Sequence, residues 1–229
     1  MFNANTYPTP RRGFLARLGA ASVAFGLGGA IPSPLRAEPA DAMDGIGDHN
    51  SEDWLSGVKG KHRQVLDAVS INDGFSLVWS MVFLNTHNEA SKLPDRELSA
   101  VTVLRHSAIP IGFTDSIWAK YKLGEAFDIK DSATKAPALR NPYYHPREGE
   151  LMFPGMSVDA LLARGVIFGV CSLATKVFSA RRAAAVGVPE EEALQEWKAG
   201  LIPGMTFVPS GIWAVNHAQE HRCSYCYAG

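Results

Sequence analysis

Net charge, cysteine and long apolar runs are all scarce in this 229-residue sequence. With 22 Lys and Arg against 23 Asp and Glu, the net charge is −1. That leaves no basic face of the kind nucleic acid requires, so no nucleic-acid partner is expected. The apolar stretch at residues 18–31 is diluted by Gly19, Gly26, Gly28 and Gly29. It falls short of the roughly 20 apolar residues of a stable membrane-spanning helix. No second such stretch follows, so no stable membrane span is expected once this one is removed. The cysteines number three. An odd count in an oxidising compartment leaves at least one thiol without a partner in its own chain. Apolar residues at 46% and charged residues at 20% are otherwise those of an ordinary globular protein. No internal repeat or low-complexity tract is visible.

The N-terminus carries Arg11-Arg12-Gly13-Phe14-Leu15, which resembles the twin-arginine export consensus. Followed by the glycine-diluted apolar run, it reads as a removable targeting segment with cleavage after Ala37 or Ala42. The route implies a protein that works, already folded, in the periplasm. Such cargo is often loaded with a cofactor before export. Residues 38–60, rich in Asp, Gly and Ser, read as a linker, and the folded domain is expected over residues 61–229. Removing the signal leaves roughly 190 residues, enough for one domain with a sizeable core.

Within that domain strands and helices alternate. Residues 63–70 (RQVLDAVS) and 98–105 (LSAVTVLR) predict strands, the second uninterrupted and buried. Between them Asn72-Asp73-Gly74 offers caps for a helix to Ala90, with Phe75, Val78, Trp79, Val82, Phe83 and Thr86 as its apolar face. Asp115 is expected to cap a helix through Trp118, Tyr121 and Leu123, with both aromatics in core or interface. Residues 128–155, with four prolines, read as a long excursion of weak structure. In it Tyr143-Tyr144-His145 is expected to serve association of subunits.

Ser157 then caps a short helix at 158–163, and residues 166–170 form a buried strand with Cys171 at its carboxyl end. Helices are expected at 173–186 and, with Pro189 at its start, at 190–198. A strand at 205–208, a helix at 211–222 and a short strand at 223–227 complete the chain. Such alternation implies a single α/β domain with a mainly parallel five-stranded sheet and helices on both faces.

Gly165-Val166-Ile167-Phe168-Gly169-Val170-Cys171 and Gly204-Met205-Thr206-Phe207-Val208-Pro209-Ser210-Gly211-Ile212, with Ala218-Gln219-Glu220 and Tyr225, together resemble the DsrE/DsrF-like sulfur-relay proteins. Their α/β domains are flavodoxin-like. The resemblance is best over residues 161–227. It implies that Cys171 carries sulfur as a persulfide and that the chain assembles as trimers or hexamers. It also implies a sulfur-donor protein or a small sulfur anion as partner.

The residues bear on the same chemistry directly. Ligands of open parallel sheets bind outside the carboxyl ends of the strands. A cysteine leaving a strand as a helix begins meets the helix dipole, which favours the thiolate that sulfur transfer needs. A small buried residue packing the strand end is the other reading of Cys171. His106 holds the analogous place after the second strand and is the candidate acid/base. It also reads as a loop histidine without a role. Lys176, one turn into the helix, is placed either to help an anionic ligand or to sit solvated.

A rival site lies at the C-terminus. His217 and His221 share a helix face, and Cys223 and Cys226 follow, which are ligand types for zinc or copper. If residues 223–227 form a strand, the two cysteines point to opposite faces roughly 10 Å apart, at about 3.3 Å per residue, and neither chelate together nor pair. No organic cofactor is assigned. The sequence thus carries three functional readings: sulfur handling at Cys171, metal binding at the C-terminal His/Cys group, and a non-catalytic oligomeric binding module.

Overall fold

Strands β1 (His62–Ala68), β2 (Leu98–Leu104), β3 (Ile167–Cys171), β4 (Thr206–Val208) and β5 (Ser224–Tyr227) pair in parallel in the order β4-β3-β2-β1-β5. The structure is a computed structural model and describes residues 54–229. The arginine pair, the apolar run, both cleavage points and most of the expected linker lie outside the described residues.

Helices α1 (Phe75–Ala90), α2 (Asp115–Lys120), α3 (Leu123–Ala126), α4 (Val158–Ala163), α5 (Ser172–Val186), α6 (Glu190–Ala199) and α7 (Gly211–Glu220) connect the strands. Parallel crossovers are right-handed. Three successive steps from β1 to β4 therefore stack α1, α5 and α6 on one face, and the return to β5 carries α7 across the other. The side chains follow the strand period of two. Leu66, Ala100, Leu104, Phe168 and Val170 face the larger core, whereas Val65, Val101, Val103 and Val208 face the smaller one under α7. Among the described residues, no helix is long and apolar enough to cross a membrane.

The smaller core corrects the linker boundary. Trp54, Leu55 and Val58 are buried in it, and a Cβ added to Gly169 would lie 2.8 Å from the Trp54 ring. The indole thus packs against β3 at a position where only glycine leaves room. The tail expected to reach Gly60 is core from Trp54 onward, because α7 alone is too narrow to cover its face of the sheet.

The apolar face of α1 is rotated from the expected one. Ser76, Leu77, Val78, Ser80, Met81 and Leu84 are buried, while Trp79 and Val82 are 41% and 38% exposed. Two serines displace the pattern because both are on the buried face. The Ser80 hydroxyl bonds the Ser76 carbonyl at 2.9 Å and the Thr102 hydroxyl of β2 at 2.8 Å. The satisfied Ser80 hydroxyl is buried at little cost, while the Ser76 hydroxyl is buried without a hydrogen-bond partner among the described residues, so polarity misreports the face.

At the far end of α1, His87 stacks on His62 with ring centroids 4.4 Å apart. Burial, and then the positive charge of His62, hold the His87 pKa below its ordinary 6.5. Protonation then favours the unfolded chain, so the stabilising neutral state is fully present above about pH 6.5 and is lost as pH falls below it. Thermal melts should show a lower Tm at pH 5.5 than at pH 7.5. The gap should narrow in His87→Gln, and an unchanged gap would remove this pair as its source.

The excursion is irregular but fastened. Asn141, fully buried, donates to the carbonyls of Ile111 and Phe113 at 2.9 and 2.8 Å and accepts from the Tyr143 N–H. The Asp115 carboxylate accepts from the Asn141 N–H at 2.8 Å. It anchors the excursion, and the N-cap of α2 is Thr114. Tyr143 is buried in the larger core beside Gly74, so it packs the domain and does not serve as an association surface. Trp118 and Tyr121 are likewise core, the Trp118 indole N–H donating to the Pro110 carbonyl at 2.9 Å.

Candidate functional site

Three chain segments converge at the carboxyl ends of β2, β3 and β4, where an open parallel sheet places its ligands. β3 runs into α5 with no loop, so Cys171 is both the last strand residue and the helix N-cap. Its Sγ accepts the Ala174 N–H at 3.3 Å, and its carbonyl accepts the Thr175 hydroxyl at 2.9 Å. The sulfur therefore sits on the positive end of a 15-residue helix. It is 5% exposed, and that exposure opens onto a cavity of about 270 Å³.

The opposite wall is the start of α7. Ser210 caps it, its Oγ accepting the Trp213 N–H at 3.2 Å. Two helix N-termini thus bound one cavity.

Arg105, the first residue beyond β2, also lines the cavity. Its Nε and Nη2 donate to the two carboxylate oxygens of Asp67 at 2.6 and 2.9 Å. The Tyr225 hydroxyl donates to the same carboxylate at 2.9 Å. A buried acid on β1 therefore holds a cation from just beyond β2 and a phenol from β5, with bidentate geometry that fixes the guanidinium direction. Hydrogen bonding to Asp67 raises the Arg105 pKa against the opposing effect of burial. The charges of Asp67, Tyr225 and Cys171 add to the rise. Burial and the bond to Asp67 raise the Tyr225 pKa, which keeps it a donor.

Gly211 shapes the Arg105 stem. A Cβ there would lie 2.4 Å from the Arg105 Cβ and 2.6 Å from its Cδ, so the arginine crosses the first turn of α7 in contact with backbone. Gly211→Ala should cost about 1–3 kcal/mol through overpacking and displace the guanidinium. Chemical denaturation checks the cost, and wild-type stability in the variant would contradict the contact.

His106 lines the same cavity. It holds a left-handed backbone, φ 48°, which is uncommon outside glycine and clusters at functional sites. Its Nδ1 lies 3.3 Å from the Ser107 hydroxyl, and its ring meets Phe178 edge-on at 6.1 Å. The structure thus brings together Cys171 and His106, the two residues singled out from strand ends. Lys176 is not part of the lining. Arg181, further along α5, is, with its guanidinium 5.5 Å from the centre of the Phe178 ring.

The C-terminal group is divided: the rings of His217 and His221 meet at 4.7 Å, but the cysteines part from each other. His217 stacks on Trp213 at 4.6 Å and meets Glu220 through Nδ1 at 3.2 Å. The Nδ1 of His221 lies 3.0 Å from the His217 carbonyl. Cys223 is buried in the core under α7, where burial raises its pKa despite Arg63. Cys226 borders a groove on the α1 side with Trp79 and Phe83. The two thiols thus lie on opposite sides of the sheet, as a strand there requires, and all three cysteines are free. Among the described residues, no three His, Cys, Asp or Glu side chains gather as metal ligands would.

As site residues, Arg105, Asp67, Gly211 and Arg181 escaped the sequence reading. Asp67 was the available signal, a lone carboxylate inside the apolar run Val65-Leu66-Asp67-Ala68-Val69. A buried acid needs a partner, and Arg105 ends the neighbouring strand. No protein-family model, no curated protein and no solved structure matches the chain.

Proposed function

We propose that the protein handles sulfane sulfur, with Cys171 accepting it as a persulfide and passing it on in the manner of the sulfur-relay proteins its motifs resemble. In this reading it does so in the periplasm, after twin-arginine export. One observation carries the reading: the only thiol at a strand carboxyl end among the described residues is also a helix N-cap, and it opens onto a cavity shared with Arg105 and His106.

The step is an exchange. The Cys171 thiolate attacks the outer sulfur of a donor R–S–SH, and the donor S–S bond breaks with its electron pair left on R–S⁻. A new S–S bond forms at Cys171, with no net oxidation. The Ala174 N–H at the start of α5 holds the Cys171 Sγ in place before attack. Arg105, held by Asp67, faces negative sulfur both before and after. His106, in the cavity lining, carries the proton between the leaving thiolate and the persulfide.

Incubation with a persulfide donor, followed by counting of reductant-labile sulfur per chain, tests this. The wild type should take up sulfur at Cys171. His106→Asn should reach the same stoichiometry about 10²-fold more slowly, the usual cost of a missing acid/base. An unchanged rate would take His106 out of the chemistry, and absent uptake in the wild type would overturn the function itself.

A further inference from the structure

The wall of the Cys171 cavity does not suit a small inorganic ion. Leu173, Val177 and Phe178 lie along the α5 side and Ile212 stands across on α7. Val177 is 39% exposed and Ile212 67% exposed. These side chains leave apolar surface at the mouth that the chain's own core does not use. The charges are equally one-sided. Arg105 and Arg181 are in the lining, and no carboxylate is. Asp67 binds Arg105 through Nε and Nη2, so Nη1 remains uncommitted among the described residues. A volume of about 270 Å³ holds roughly nine water-sized groups at about 30 Å³ each.

We infer that the cavity takes an organic sulfur compound of about this size, with an apolar body and one negative end, and not an inorganic sulfur anion. The inference rests on the proposed sulfur chemistry and names its donor class. The body lies against Leu173, Val177, Phe178 and Ile212, and the sulfur end reaches Cys171 and Arg105. In the exchange R–S–SH gives up its outer sulfur, and the R–S⁻ that leaves carries its electron pair and negative charge next to Arg105 Nη1. A bare thiosulfate or polysulfide would satisfy the arginine and leave the apolar wall wet. Apolar burial near 25 cal/mol per Å² makes the organic ligand the better fit.

The test separates binding from transfer. Cys171→Ser cannot load sulfur, so calorimetric titration of that variant with phenylacetate, acetate and thiosulfate reads the cavity alone. Phenylacetate should bind at one site per chain, at least about tenfold tighter than acetate or thiosulfate, a difference of about 1.4 kcal/mol. Val177→Asp and Ile212→Asp, both at exposed positions, should each weaken it about tenfold. Thiosulfate binding as tightly as phenylacetate, or phenylacetate affinity indifferent to both aspartates, overturns the inference. Benzyl hydropersulfide is then offered to the wild-type chain. If phenylacetate binds the Ser variant as expected but no sulfur moves to wild-type Cys171, the sulfur reading fails while the ligand class stands. If sulfur moves from inorganic polysulfide faster than from benzyl hydropersulfide, the sulfur reading stands and the ligand class fails.

Discussion

Arg105→Met is expected to lower unfolding free energy by about 3–5 kcal/mol, the usual cost of stranding one half of a buried ion pair. The asymmetry of the pair sets the size. The Asp67 side chain is 4% exposed, whereas that of Arg105 is 23% exposed. Removing the arginine leaves a nearly dry carboxylate with the Tyr225 hydroxyl as its remaining side-chain donor. Removing the acid instead, as in Asp67→Asn, strands a cation that can reach water, so it should cost less. The double variant Arg105→Met/Asp67→Asn should recover part of the single loss, because no charge is then left buried. Urea denaturation of the four proteins measures each corner of this cycle. A double variant as unstable as the sum of the singles would mean that the two side chains do not act as a pair. Sulfur uptake should fall in every variant lacking Arg105, including the double variant whose stability partly returns. That separates the role of the guanidinium in the cavity from its role in the fold.

Cys171→Ser should abolish sulfur uptake and leave the fold in place. Serine is a preferred N-cap and keeps an acceptor for the Ala174 N–H that Cys171 now bonds, so a Tm within a few degrees of wild type is expected. The other thiols offer no substitute. Cys223 is buried with a raised pKa, and Cys226 sits on β5 away from the cavity. Cys223→Ser and Cys226→Ser should therefore load sulfur as the wild type does. Retained uptake in Cys171→Ser, or its loss in Cys226→Ser, would move the chemistry to the other end of the sheet.

The middle of the sheet was legible because β2 and β3 are buried on both faces and read as continuous apolar runs. Val101, Thr102, Val103 and Leu104 left little room for another assignment, and five parallel strands with helices on both faces are what the structure has. Ends were less legible than cores. The sequence predicts strand at Val69 and Ser70, yet both donate to the Gly229 carbonyl beyond the ladder, a long-range pairing invisible locally. Apolarity alone misplaces the buried face of α1, because Ser76 and Ser80 both lie on it and only the Ser80 hydroxyl finds partners, in the Ser76 carbonyl and Thr102. At the site, the strand-end rule found Cys171 and His106, since it depends only on where strands stop. It missed the Asp67–Arg105 pair, whose members are 38 residues apart in sequence. Only the parallel pairing of β1 with β2 brings Ala68 opposite Leu104 and so sets Asp67 beside Arg105. Gly211 belongs to the quoted motif, but its need for a bare backbone was not legible there, as it arises from the Arg105 side chain just beyond β2.

The most direct test of the central claim is the intact mass of the full protein after incubation with a persulfide donor, read before and after a reductant and followed by peptide mapping. The expected result is a gain of sulfur that the reductant removes and that maps to the peptide holding Cys171. A chain whose mass does not change, or whose added sulfur maps to Cys223 or Cys226, would contradict it.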